Sequence, residues 1–233
     1  MRMKRAVELF TFEGLPTRSP HISMAWQTHS DPKPDEAFMS VAMTHWQMVV
    51  TRQAGATWVS VQGPETKAQA APVPADAEFF GIQFSLGTYL PRVDMRTLVG
   101  RSSTLRPASP TSIWLDASTW ELPRPHNADV FVDRLVRAGL LVHDPVVPEA
   151  LAGDVPGLST RSVERRVARA TGLTRGTIRQ IRRAEQAVEL LGGGVAPLEV
   201  ARRAGYTDQS HLTRSLKRFV GQTPAQVGAT PGS

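Results

Sequence analysis

The chain has 233 residues, 41% hydrophobic and 21% charged, enough for one large or two modest globular domains. It lacks cysteine, which excludes disulfides, thiolate catalysis and cysteine-ligated zinc, and fits a reducing compartment. The net charge of +6 is unevenly placed: Leu158 to Val220 holds 13 Lys and Arg against 5 Asp and Glu, whereas residues 1 to 157 hold 14 against 16, so a cationic nucleic-acid-binding segment is attached to a nearly neutral one with another task.

No apolar run approaches the roughly 18 residues of a membrane span, and the opening MRMKRAVELF lacks the apolar core of a signal peptide. A cytoplasmic protein with no membrane partner is expected. Residues 1 to about 120 read as strands and loops. Val7 to Phe12, Ile22 to His29, Trp46 to Gln53, Thr57 to Gln62 and Phe79 to Leu86 are rich in β-branched and aromatic residues. Alternation puts Ile22, Met24 and Trp26 on one face, as it does Trp46, Met48 and Val50, and Phe80, Ile82, Phe84 and Leu86. Ala54, Gly55 and Ala56 suggest a hairpin, and the proline-rich stretches at 31–35, 71–76 and 106–110 mark loops. The inferred unit is a small antiparallel β domain.

The residues of this half that carry chemistry are His21, His29 and His45, with Glu65, Asp76, Glu78, Asp94 and Asp116. A metal site of the cupin kind needs a close histidine pair on one strand, and these three fall on separate segments, so no metal is expected. Tryptophans 26, 46, 58, 114 and 120 suit either a core or a ligand pocket. There is no phosphate-binding glycine loop and no nucleophile elbow, and Gly192 to Gly194 reads as a helix end. No catalytic residue and no cofactor follow from these patterns.

A helix begins at Asn127, with Asn127 as its cap, Asp129 in its first turn, Phe131, Leu135 and Ala138 on one face and Gly139 ending it. A short helix is expected from Val147 to Ala152. Ser159 then caps a second, in which Val163 and Val167 face inward and Arg161, Glu164, Arg165 and Arg169 face out. Thr174 to Leu191 makes a long helix, with an apolar stripe through Ile178, Ile181, Ala184, Val188 and Leu191 and a basic side of Arg175, Arg179, Arg182 and Arg183. Pro197 opens a short helix, and Gly205 supplies the positive φ at its end. Thr207 or Asp208 caps the last long helix. Leu212, Leu216 and Phe219 are its buried face, while Gln209, Ser210, His211 and Arg214, then Lys217 and Arg218, form a face suited to a DNA major groove.

The stretch Gly205 to Pro224, GYTDQSHLTRSLKRFVGQTP, together with LSTRSVERRVARATG from Leu158 to Gly172, resembles the DNA-binding domain of the AraC/XylS family of bacterial transcription regulators. In that family two helix-turn-helix units are joined by a linker helix, and the second ends in a pattern similar to GF.DQSHF.R.F+...G.TP. The sequence departs from the family at Gly153 and Pro156, where a longer helix and a glycine turn are usual. The resemblance covers residues from about 125 to 227. It implies that Arg161, Glu164 and Arg165 approach bases in one half-site. On the second reader Gln209 and Arg214 are expected to meet bases of the other half-site, with Ser210, His211 and Arg218 beside them on the DNA-facing side, whereas Arg166 and Arg169 are expected to touch phosphates or water, positioning the domain without specifying sequence. An arginine can hold guanine O6 and N7; Glu164 can accept from cytosine N4 or pair with a neighbouring arginine.

The resulting expectation is an α+β chain: a β-rich sensing or assembly domain (1–122), cupin-like or a small antiparallel barrel, followed by an all-α domain (123–233) with two helix-turn-helix units. Its partners would be double-stranded promoter DNA, a small-molecule effector, a second copy in a homodimer, and RNA polymerase. The alternative is a β-barrel small-molecule-binding protein or enzyme with a basic helical appendage. A third reading is an architectural DNA binder without sequence preference, which competition with nonspecific DNA would separate.

Overall fold

The structure is a computed structural model that describes residues 12–30, 38–71, 74–153 and 155–229. Apart from Phe12, the strand expected at 7–12 lies outside the described residues, as do the break at 31–35 and part of that at 71–76. The N-terminal half is β1 (Glu13–Leu15), β2 (Ile22–His29), β3 (Phe38–Ser40), β4 (Gln47–Gln53), β5 (Ala56–Gln62), β6 (Gln69–Ala71), β7 (Ala77–Phe84), β8 (Thr88–Tyr89), a 3₁₀ turn at Met95–Leu98, β9 (Ser102–Thr104), β10 (Pro107–Ser109), β11 (Ser112–Leu115) and β12 (Ser118–Glu121). Then come α1 (Ala128–Arg137), β13 (Val142–His143), α2 (Val146–Ala152), α3 (Thr160–Thr171), α4 (Arg175–Gly192), α5 (Pro197–Arg203), α6 (Gln209–Phe219) and α7 (Pro224–Ala229).

The main sheet runs β1-β2-β7-β4-β5-β9, entirely antiparallel. It is open, with β1 and β9 at its two ends, which corrects the expected barrel: closure would require these end strands to bond to each other. The β4–β5 hairpin forms as anticipated, with Gln53 opposite Ala56 and positive φ at Ala54 and Gly55, the signature of a tight two-residue turn. The inner face collects Met48, Val50, Val59, Val61, Phe80, Ile82 and Phe84, all buried. Trp46 stacks on Phe84 with ring centres 3.9 Å apart and donates its indole N–H to the Thr88 carbonyl.

The alternation expected in β2 does not survive. A bulge between Ile22 and Met24 leaves Ile22 opposite Phe84 but puts Ala25 opposite Ile82 and Trp26 opposite Gly81. An extra residue in one strand moves all that follows to the other face, so Met24 and Trp26 part company with Ile22. Trp26 then covers the outer face directly over Gly81, where a Cβ would sit 2.1 Å from the ring, and donates to Gln47. The 106–110 stretch is also more ordered than its prolines suggest. Pro107 opens β10, an edge strand of the three-stranded β10-β11-β12 sheet, where a residue without an N–H is tolerated.

The two halves are sewn together at several points. One hydrophobic cluster runs from the inner sheet face into α1 to α6. Strand β13 pairs with β8. Asp129 on α1 accepts from the backbone N–H groups of Arg18 and Ser19, and Asn127 accepts from the Arg124 N–H instead of capping the helix forward. At the far end, the N–H groups of Ala42 and Ala68 donate to the carbonyls of Phe219 and Arg218, at 2.7 and 2.8 Å, satisfying acceptors that the last turn of α6 would otherwise leave open.

Candidate nucleic-acid interface

In the α5–α6 unit, Pro197 sits in the first turn of α5, where its missing N–H costs nothing, and Val200 and Ala201 are buried beneath. Gly205 turns the chain at φ +70°, and the Tyr206 N–H returns to the Ala201 carbonyl at 2.8 Å. Of the two expected caps, Asp208 is the one used, accepting from the His211 N–H at 2.6 Å. Leu212, Leu216 and Phe219 are buried, so Gln209, Ser210, Arg214, Lys217 and Arg218 are left on the exposed side.

His211 belongs to the turn more than to the open face. Its ring stands edge-on to Tyr206 with centroids 5.2 Å apart, and its Nδ1 lies 3.4 Å from the Thr207 hydroxyl. Tyr206 in turn shares a 3.0 Å hydrogen bond with Ser215 of α6; burial pushes its phenol pKa up, against the smaller opposing effects of Ser215 and Arg183, so it stays neutral. Arg218, one residue from Phe219, lies over that ring at 4.9 Å.

The α2–α3 pair is built differently. The Asp144 carboxylate accepts from the Val146 N–H at the start of α2 and also takes Arg166 of α3 bidentately, at 2.7 and 2.8 Å. The Asp144 side chain is only 13% exposed, so this fork is the contact that fixes the α3 face against the start of α2. Ser159 caps α3 through the Ser162 N–H, and Val163, Val167 and Ala170 are buried. Gly172 ends α3 at φ +74°, packed so close to the Met95 carbonyl that a Cβ would approach it to 2.6 Å.

The outward side chains of α3 therefore divide into two sets. Arg161 and Arg165 are exposed, and their side chains make no hydrogen bond or ion pair among the described residues. Glu164 pairs with Arg175 at the start of α4, with Oε1 and Nε 4.0 Å apart. Arg169, expected to touch phosphates or water, extends over the Tyr89 ring of the N-terminal half at 5.5 Å. On α5, Arg202 and Arg203 both clamp Glu199, holding its carboxyl down to about 2. Gln209, Ser210 and Arg214 on α6 match Arg161 and Arg165 in having uncommitted side chains among the described residues.

Two roles escaped the sequence. Arg175 and Arg183 lie on the basic side of α4, but both turn back onto protein. Arg175, 12% exposed, reaches the Gly153 carbonyl at 3.5 Å, and Arg183 reaches the Gly205 carbonyl at 3.3 Å while lying over the Tyr206 ring. The same linker helix thus touches the turn of each pair.

In the N-terminal half, His21 faces His143, His29 lies 3.4 Å from Asp76, and His45 lies beside Thr44, so the three are not brought together. Among the described residues no group of three His, Asp or Glu could hold a metal ion. Glu78 neighbours Arg52, Asp94 and Asp116 pair with Arg96 and Arg92, and Glu65 accepts from Ser40. A cleft of about 790 Å³ at one end of the sheet is lined by Phe12, Gln27, His29, Arg52, Glu78 and Phe79 among others, and by none of the five tryptophans.

Residues 154–229 match the family model described as a helix-turn-helix domain, of the AraC type. The match spans α3 to α7 and begins after α2. No curated protein and no solved structure matches the chain. The C-terminal region thus holds an AraC-like helix-turn-helix domain, which supports DNA binding by a regulator of that type. Among the described residues no helix is long and apolar enough to cross a membrane.

Proposed function

We propose that the chain is a sequence-specific transcription regulator of the AraC/XylS family that binds promoter DNA with two helix-turn-helix units, α2–α3 and α5–α6. The observation that carries this is the shared grip of α4: Arg175 meets the turn of the first pair and Arg183 that of the second, while Arg161, Arg165, Gln209, Ser210 and Arg214 are left open to a ligand. In this reading α3 and α6 enter successive major-groove segments, and arginines at their exposed ends hold guanine edges. Arg169 and Arg218 assist from the flanks.

The N-terminal half is read as the sensing or assembly domain of a cytoplasmic regulator with no enzymatic role. A small-molecule effector would occupy the cleft beside His29, Arg52 and Glu78. A homodimer and RNA polymerase remain partners of this reading.

The test is to select duplexes from a random DNA pool with the full chain and footprint the selected site at monomeric concentration. The 18 residues of α4 make a rod of about 27 Å, against roughly 34 Å for a turn of DNA. Two protected segments about one turn apart on one DNA face are expected, with modest bending absorbing the difference. A single protected segment, unchanged when Arg161 and Arg165 are replaced, would leave α5–α6 as the only reader. No protection of any duplex would end the proposal.

A further inference from the structure

The four arginines at the start of α4 do not share one fate, and the division points to a third DNA contact. At 100° per residue, Arg175, Arg179, Arg182 and Arg183 fall within an arc of roughly 100°. Arg175 and Arg183, at the two ends of the set, are turned onto the Gly153 and Gly205 carbonyls. Arg179 and Arg182 lie between them, are exposed, and make no side-chain hydrogen bond or ion pair among the described residues.

Arg175 and Arg183 are separated by about 12 Å along α4, and each marks the turn that leads to the capped start of a reading helix: Ser159 for α3 and Asp208 for α6. The starts of reading helices are the ends that enter grooves, so with both units docked the arc between the two turns would overlie the sugar-phosphate backbone running between those grooves. The neighbouring cations on α5 are both engaged by Glu199, whereas these two guanidinium groups are left in the open. A planar guanidinium with its donors unused is suited to a phosphate diester.

We infer that Arg179 and Arg182 grip the DNA phosphates between the two groove segments, making α4 a backbone clamp as well as a spacer. The inference rests on the proposed two-unit reading and adds to it a contact that no base reader supplies. Contacts to phosphate position a protein without specifying sequence, and each contributes separately to the release of counterions.

The test is a salt titration of DNA binding with the full chain, its Arg179→Gln/Arg182→Gln double variant and the Arg179→Lys/Arg182→Lys control, on the selected duplex and on a random one. The expected result is a slope of log K against log salt that is shallower by about 0.9 for each lost contact, near two units for the pair. Affinity should fall by the same factor on both duplexes, and the lysine variant should recover the slope. Circular dichroism melting is expected to be unchanged, since both side chains are exposed. An unchanged slope in the glutamine variant would overturn the clamp while leaving the two-unit reading intact. A loss confined to the selected duplex would overturn it too, by making these arginines base readers. If the wild-type chain shows no salt-dependent binding at all, the proposed function falls and the clamp falls with it.

Discussion

Arg183 donates from Nη1 to the Gly205 carbonyl at 3.3 Å while its guanidinium lies over the Tyr206 ring, with Cζ 5.5 Å from the ring centre. Tyr206 passes that contact on to Ser215 and His211, both on α6. Arg183 therefore sets the reading helix by way of its turn, without itself contacting DNA. Arg183→Ala is expected to weaken binding to the selected duplex while leaving the salt slope unchanged, because no phosphate contact is lost. Its melting temperature should fall in step with a loss of about 0.5–1 kcal/mol. A slope shallower by one unit would instead place Arg183 on a phosphate.

Gly172 and Gly205 end comparable helices at nearly the same left-handed φ, +74° and +70°, yet their surroundings differ. A Cβ at Gly205 meets nothing within 4 Å, whereas at Gly172 it would lie 2.6 Å from the Met95 carbonyl and 2.9 Å from Val99. Gly205→Ala should cost only the left-handed backbone penalty of about 1–2 kcal/mol. Gly172→Ala adds overpacking against the backbone of the 3₁₀ turn, roughly 1–3 kcal/mol more. Chemical denaturation of the two variants checks this, and equal costs would mean that the α3 end is free of the N-terminal half.

The outward residues of the reading helices should separate by selection on randomised sites. Arg165→Ala and Arg214→Ala are each expected to cost about 1–3 kcal/mol and to relax preference at a single base pair. Glu164 faces Arg175 across 4.0 Å, so Glu164→Gln should leave base preference unaltered. A new preference at one position in that variant would restore Glu164 to the set that meets bases. Uniform weakening in an arginine variant would demote that arginine to a phosphate contact.

The long elements were legible because period and punctuation agree in them: Pro197, Gly205 and the Asp208 cap bracket α5 and α6, and the expected stripe of α4 is buried at Ile178, Ile181, Ala184 and Leu191, with Val188 half-buried and Ala187 buried beside it. Expectation failed where a single residue or a distant partner decides. The bulge after Ile22 sends Trp26 to the opposite face, and alternation alone carries no mark of it. Strands of two to four residues such as β8, β9 and β13 are too short to show a period. The outward arginines look alike in sequence. Asp144 engages Arg166, Tyr89 lies under Arg169 and the Gly153 carbonyl accepts from Arg175, all contacts between residues 22 to 80 positions apart.

The seam between the halves should respond to acid through His143. Its Nδ1 lies 3.0 Å from the Thr88 hydroxyl, within the β8–β13 pairing, and its ring stands 5.8 Å from that of His21, whose own Nδ1 is buried with no hydrogen-bond partner among the described residues. Asp144, next along the chain, faces the pair while engaged by Arg166. Burial first, then the neighbouring His21, pushes the His143 pKa below its ordinary value, with Asp144 opposing. A histidine depressed in the folded state binds fewer protons there than in the unfolded chain. Stability thus rises with pH across this window, being full above the unfolded value of about 6.5 and declining as the solution is acidified below it. The melting temperature is expected to fall between pH 7.5 and 5.5, above the range where most carboxylates titrate. His143→Gln, which keeps a polar group for Thr88 but cannot titrate, should flatten that fall. If wild type and variant lose stability in parallel over this range, the acid response lies elsewhere and the seam is indifferent to His143.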